Sequence, residues 1–402
     1  MFANGNFRHL WAMGIIVSIT QWTELLVVAL YVHDTTHSAF AVAVLATCRL
    51  LPFPLLSANI GMLVAHISPR TLQIYIALAI TLSSMTIATL HAFGALQLWM
   101  LAVLVFVNGA MAAADMPLRR LMIGDAVGAM RMRQAMAVDM ATGNVSRIAG
   151  PLVGGVVATS IGMNVFWFSA VAFLGFAYLS VRLRLPKVEA VTTNPPYHLL
   201  FLNGIRLVAR DSSLTGVFVL TAIYNLFAWP MMTQTPVVAS DSYRLAPVAV
   251  GVLVSMEGVG AFLSALTLHR ISSPRHYPRI FAGGVIAGLT CIVLFGLAPN
   301  APLAGVALFT SGLAGAGFGI MQATLIYMLT PAQSRGVVLG LLATCIGLSP
   351  LGVLHLGVMA DALGSRTAVL VMGLEGLVIT MLSFRLWGRI EASNAAVEPR
   401  PS

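Results

Sequence analysis

Apolar residues run along the chain in about twelve long stretches separated by short polar breaks, and each stretch is near the ~20 residues that a bilayer-spanning helix needs. The runs predict spans at about 9–32, 39–63, 71–92, 97–120, 134–159, 163–183, 213–237, 246–268, 279–297, 302–329, 336–358 and 367–388. The expected fold is therefore an all-α polytopic membrane protein with twelve transmembrane helices. The first run continues past Trp22 to about Tyr31 without a small-residue cleavage pattern, so it reads as a first spanning helix. Six spans precede the longest polar stretch, about 184–212, and six follow it. This predicts an N-terminal six-helix bundle over 1–185, a cytoplasmic linker over 186–212, a C-terminal six-helix bundle over 213–388 and a tail over 389–402. The linker holds Asn194-Pro195-Pro196, then Tyr197-His198-Leu199-Leu200-Phe201 with Arg206 and Arg210 beyond, which suggests an amphipathic helix lying on the inner membrane surface. A shift of 208 residues lays Ala41-Val42 and Val44-Leu45 on Ala249-Val250 and Val252-Leu253, as a repeat of two halves would.

Composition agrees. Of 402 residues, 58% are hydrophobic and 9% charged, against the roughly 25% charged of a soluble domain. The net charge of +9 would suit nucleic acid only if it formed a stripe, whereas the basic residues crowd the loops of one side, from Arg8 and Arg70 to Arg385 and Arg389. The other side holds Arg244 and Arg366. That asymmetry is the positive-inside signature, placing both termini in the cytoplasm and arguing against a nucleic-acid partner. Cys48, Cys291 and Cys345 lie in apolar runs without metal-ligand spacing. The nine histidines form no H-E-x-x-H cluster and no P-loop or dinucleotide fingerprint occurs, so the chain predicts no metal, no cofactor, no enzyme and no ATP drive.

Ionisable residues at membrane mid-depth are the candidates for chemistry, because each costs about 2.5–3.5 kcal/mol to insert unless it is partnered or hydrated. Glu24, Arg49, Arg147, Glu257 and Glu375 all fall near the middle of predicted spans. Glu24 matches Arg49 in depth, and Arg147 matches Glu257, so two charge pairs are expected, either as structural locks or as pairs that break and remake or release a proton. Glu375, on the last span, reads as a local packing group. Asp115 precedes Arg119 by one helical turn, and with Asp139 and Arg120 it forms a candidate inner gate or, equally, a set of solvated interfacial charges. Gly143, Gly150, Gly154 and Gly155 flatten one side of the fifth span around Pro151, and Gly315 and Gly319 have GxxxG spacing in the tenth; small residues let helices approach closely in lipid.

Several stretches resemble the major facilitator superfamily, in its branch of enterobactin exporters and macrolide efflux proteins. They are Asn6-Phe7-Arg8-His9-Leu10-Trp11, Arg49-Leu50-Leu51-Pro52, Arg147-Ile148-Ala149-Gly150-Pro151 with Gly154-Gly155, Leu348-Ser349-Pro350-Leu351-Gly352 and Ala360-Asp361-Ala362-Leu363-Gly364. The loop after the second span departs from the family's acidic and basic pattern: Gly61-Met62-Leu63-Val64 runs into Ala65-His66, and Arg70 is the basic residue retained. The resemblance implies that spans 1, 4, 7 and 10 line a central cavity, that spans 2, 5, 8 and 11 lie between the halves, and that the rest are peripheral. On those cavity spans Trp22, Tyr224, Asn225, Trp229 and Gln322 are candidate substrate contacts, or else interhelical hydrogen bonds and lipid-facing aromatics. The implied function is a secondary transporter of the bacterial inner membrane that exports an amphipathic small molecule against proton entry, with one chain sufficing. Siderophore-like metabolites and drug-like compounds are the expected cargoes. Uptake, or a membrane sensor without transport, stays open at this level.

Overall fold

The computed structural model describes residues 4–56, 67–183, 197–271, 274–330 and 334–388, together with Phe2 and Ile390. The loop after the second span, most of the predicted linker and the tail therefore lie outside the described residues, which are helical wherever they are regular. In the first half the helices are α1 (Gly5–Thr36), α2 (Ala39–Leu50), α3 (Pro69–Ala92), α4 (Leu98–Val127), α5 (Ala129–Ser160) and α6 (Val165–Arg182). The helix α7 (Tyr197–Arg210) follows. The second half has α8 (Ser212–Ile223), α9 (Met231–Asp241), α10 (Pro247–Ile271), α11 (Tyr277–Leu297), α12 (Ala301–Leu329), α13 (Arg335–Ile346), α14 (Ser349–Leu363) and α15 (Ser365–Leu382). Ten segments are long and apolar enough to cross a membrane. The other two expected spans are α2, which continues through the short helix Pro52–Leu56 to the edge of the described residues, and α5, which carries several charges.

Local sequence sets the helix ends. Asn4 accepts from the backbone N–H groups of Asn6 and Phe7, Ser38 from Ala41, Ser68 from Thr71, Asp211 from Ser213 and Leu214, and Asn300 from Leu303; such caps satisfy donors that a helix start leaves open. Three boundaries differ from the hydrophobic pattern. The helix α4 runs on to Val127 instead of stopping near residue 120, because Asp115 and Asp139 neutralise Arg119 and Arg120 where the pattern sees an end. The eleventh span is broken between Ile346 and Ser349, and Pro350 opens the second piece, where a missing N–H costs nothing. In the seventh span, α8 and α9 are joined by a π-turn, Tyr224–Ala228, in which the Trp229 N–H donates to the Tyr224 carbonyl, 3.0 Å away. Pro230 follows directly and offers no N–H of its own to restore the ordinary ladder.

The chain divides into two compact units. Unit 1 comprises Met1–Thr192 with Arg244–Ser255, and unit 2 comprises Thr193–Tyr243 with Met256–Ser402. In unit 1, α1, α3, α4 and α6 bury a core of Phe7, Leu10, Met13, Leu72, Ile76, Leu118, Met122, Phe173 and Phe176. Outward-facing positions such as Leu82, Phe168 and Val171 are about two-thirds exposed, as a surface bathed in lipid requires. In unit 2, α11 packs along α12 and α15, and α7 rests on α13 and α8 with Val208 buried and Arg206 and Arg210 exposed. A helix, α7, stands where the sequence predicts the amphipathic segment.

Candidate functional site

Glu24 lies on α1 about 18 Å from its C-terminal end, counting 1.5 Å per residue, and is 3% exposed. Arg49 on α2 is 7% exposed and brings Nη1 to 3.5 Å from Glu24 Oε2. The depth match read from the sequence is therefore a physical pair. The Ser169 hydroxyl of α6 approaches the same carboxylate, and nothing in the sequence singles it out. Beside it a cavity of about 340 Å³ is lined by Thr20, Thr23, Val157, Phe168 and Ser169. The carboxylate thus sits between an arginine and a hydroxyl within unit 1, where a change of protonation would alter its bonds to both.

Arg147 on α5 stands over the Trp22 ring, 5.7 Å from its centroid. Trp22 reaches that position because α1 and α5 touch through glycine: a Cβ on Gly150 would lie 2.3 Å from the Trp22 Cβ, and one on Gly154 would lie 3.2 Å from the Thr23 carbonyl oxygen. Thr23 Oγ1 donates to the Gly150 carbonyl across the same seam. Gly155 points elsewhere, against Pro247 and Val248 at the start of α10, where the Pro151 carbonyl also meets Gly251. Four of the motif residues therefore serve close backbone approach, while Gly143 has open space around it. Glu257, 7% exposed on α10, belongs to unit 2, whereas Arg147 belongs to unit 1.

A second cluster forms in unit 1 near the junction of α4 and α5. Arg119 Nε donates to Asp115 Oδ2 at 3.2 Å, Arg119 Nη1 donates to Asp139, and Arg120 Nε stands 3.8 Å from the other Asp139 oxygen. Gln73 on α3 donates to Asp115. Gly14 on α1 makes the space, since a Cβ there would lie 2.5 Å from Arg119 Nη1. The sequence pointed to Asp115, Arg119 and Asp139, and they do meet. Gln73 and Gly14 escape sequence reading, because a lone Gln and a lone Gly in apolar runs carry no pattern.

In unit 2, Tyr224 stacks on Phe318 with centroids 4.0 Å apart, and its hydroxyl lies where a Cβ on Gly315 would point; a Cβ on Gly319, at the other end of that GxxxG, would point into open space. Asn225 Nδ2 donates to the Thr221 carbonyl and Gln322 Nε2 to the Thr221 hydroxyl, each at 2.9 Å. Tyr224, Asn225 and Gln322 are buried, and Trp229 is half-buried. Thr221 is the residue that ties two of these candidates together. Among the described residues no group of three His, Cys, Asp or Glu could hold a metal ion.

Known proteins match the chain over its length. It is 20% identical over 405 residues to a staphyloferrin A transporter of Staphylococcus aureus, covering 97% of this chain and 99% of that one. It is 26% identical over 266 residues to the enterobactin exporter of Escherichia coli, covering 63% and 62%. The fold is that of a bacterial homologue of the human lysosomal transporter Spinster, with a TM-score of 0.79 at 14% identity and 99% coverage of each chain, and of the nucleoside transporter NupG, at 0.76 and 13% with 94% and 99% covered. The transmembrane secretion effector family, of major facilitator type, matches residues 1–400. With its apolar helices, its buried charge clusters and that match, the chain belongs to this family of membrane transporters.

Proposed function

We propose that this protein exports an amphipathic, siderophore-like small molecule across the bacterial inner membrane, driven by proton entry through alternating access of two six-helix halves. The observation that carries the reading is the buried Glu24–Arg49 pair, since a carboxylate held in mid-membrane by one arginine can release its partner on taking up a proton. Cargo entry and protonation then compete for the same charges. Arg147 over Trp22 suits a cargo with anionic groups and a flat ring or apolar face, and Tyr224, Asn225, Trp229 and Gln322 are the proposed contacts in unit 2. The names of two relatives, a staphyloferrin A transporter and an enterobactin exporter, support a siderophore as cargo and export as direction. The Asp115–Arg119–Asp139 cluster is assigned to locking the inner end. One chain is the transport unit, with both termini in the cytoplasm.

The test is siderophore secretion by a host lacking its own exporter, together with cargo movement in proteoliposomes under an imposed pH gradient. Wild-type protein should restore secretion and respond to the gradient. Glu24→Gln should abolish gradient-driven movement while folded protein persists in the membrane. Transport by Glu24→Gln that keeps its full dependence on the gradient would remove Glu24 as the coupling site, and wild-type protein that secretes no siderophore would remove the cargo.

A further inference from the structure

Inside a bilayer, ionisable groups normally face the protein interior or a water-filled cavity. Glu24, Arg49, Asp115 and Arg119 obey that rule, each less than a tenth exposed. A pair in unit 2 does not. His355 Nε2 of α14 lies 2.9 Å from Glu375 Oε2 of α15, with side chains 47% and 36% exposed. Helix rise puts His355 about 12 Å from the outer end of α14, and Glu375 about 15 Å from the outer start of α15, so both lie near the middle of the membrane. The surface around them is apolar. Leu351 and Val358 flank His355 along one helix, Leu374 and Val378 flank Glu375 along the other, and all four are about half exposed. Val353, Leu356, Met372 and Gly376, on the opposite faces, are buried. The pair therefore sits in the centre of an exposed apolar surface of unit 2. Its bond engages one ring nitrogen and one carboxylate oxygen, which leaves a further polar atom on each side chain where lipid tails can satisfy neither.

We propose that this face of α14 and α15 docks a second copy of the same chain within the membrane. A donor beside an acceptor is self-complementary: under a two-fold axis His355 of each copy can meet Glu375 of the other, which is the requirement for an isologous interface. Polar side chains hold helices together in lipid by such bonds, and the flanking leucines and valines supply the surrounding packing. Each copy keeps its own transport path, so the inference stands apart from the cargo and the coupling ion.

The full chain, labelled with one fluorophore and diluted over a range of lipid ratios in liposomes, should bleach in two steps with a share that rises with protein density. Replacing both residues, His355→Leu with Glu375→Leu, should weaken association by roughly 10-fold, the effect of a small number of interhelical polar contacts. The exchange variant, His355→Glu with Glu375→His, remains self-complementary and should still associate, which keeps the test decisive if the leucine variant does not fold. In a background with Cys48, Cys291 and Cys345 replaced, a cysteine at Leu351 or Val358 should crosslink two copies, whereas one at Leu82 should not. Single-step bleaching at every density, association unchanged by the leucine pair, failure of the exchange variant to associate, or crosslinking at Leu82 in place of Leu351 and Val358 would each overturn the proposal.

Discussion

Arg119 shows what keeps a guanidinium inside a membrane protein: Asp115 one turn earlier on its own helix, Asp139 on the next, and a bare stretch of α1 at Gly14 to lie against. Removing one carboxylate leaves a buried cation short of a partner, which in a protein interior costs about 3–5 kcal/mol. Asp139→Ala should therefore lower the thermal unfolding temperature of the purified protein markedly. Arg119→Met combined with Asp139→Leu should be less damaging than the two single losses added, because no orphan charge remains; additive losses would mean that the two residues act independently. Part of this cluster was legible in the sequence. The i, i+4 spacing of Asp115 and Arg119 is a one-dimensional signal, and so is the matched depth of Glu24 and Arg49. Gln73, Ser169 and Thr221 reach their partners from other helices, and a single hydroxyl or amide in an apolar run announces nothing until the helices are packed. A lone His355 likewise carries no pattern in the sequence, and Glu375, expected as a local packing group, is its partner.

Helices approach each other in lipid as closely as their smallest residues allow, and glycines in one span do not contribute equally. Gly150 holds the α1–α5 contact, since a Cβ there collides with Trp22 and the α1 backbone behind it, while Gly143 meets nothing within 4 Å. Gly150→Ala should destabilise the protein by about 1–3 kcal/mol through forced separation of the helices and should displace Trp22 from under Arg147. Gly143→Ala should be neutral or stabilising by up to about 1 kcal/mol, because alanine is the better helix former. Thermal unfolding and the fluorescence of Trp22, with the other tryptophans replaced, separate the two; equal effects at both positions would show that the contact does not depend on Gly150. The sequence marked both glycines alike, since composition registers smallness but not which way a helix turns its faces. The π-turn of the seventh span was equally hidden. Its apolar run reads as continuous, and only the bond from Trp229 to Tyr224 shows the extra residue in the turn.

At the scale of the whole chain, the charge asymmetry sets the expected orientation. On the side expected to be basic the described link Gly128 is a single residue, and the loops expected on the side poor in basic residues are short too: 37–38, 93–97, 161–164, 242–246, 298–300 and 364. Left-handed residues close most of them: His37, Gly94, Gly162, Arg244 and Gly364 all have positive φ, and glycine takes that conformation without steric cost. Arg366, one of the two arginines on this side, caps the end of α11 by donating to the carbonyls of Gly296 and Leu297 at 2.8 and 3.0 Å. Its guanidinium is thus engaged at that helix end. Orientation is an expectation that rests on where many charges fall, and it tolerates errors of several residues at any boundary, such as those at α4 and in the eleventh span. The orientation predicts that a reporter active only outside the inner membrane stays silent when fused after Arg70, Arg133, Pro196 or Arg389, and is active near Asp241 or Gly364. The reverse pattern at those sites would invert the molecule, putting the Asp115–Arg119–Asp139 cluster at the outer end and turning the proposed export into uptake.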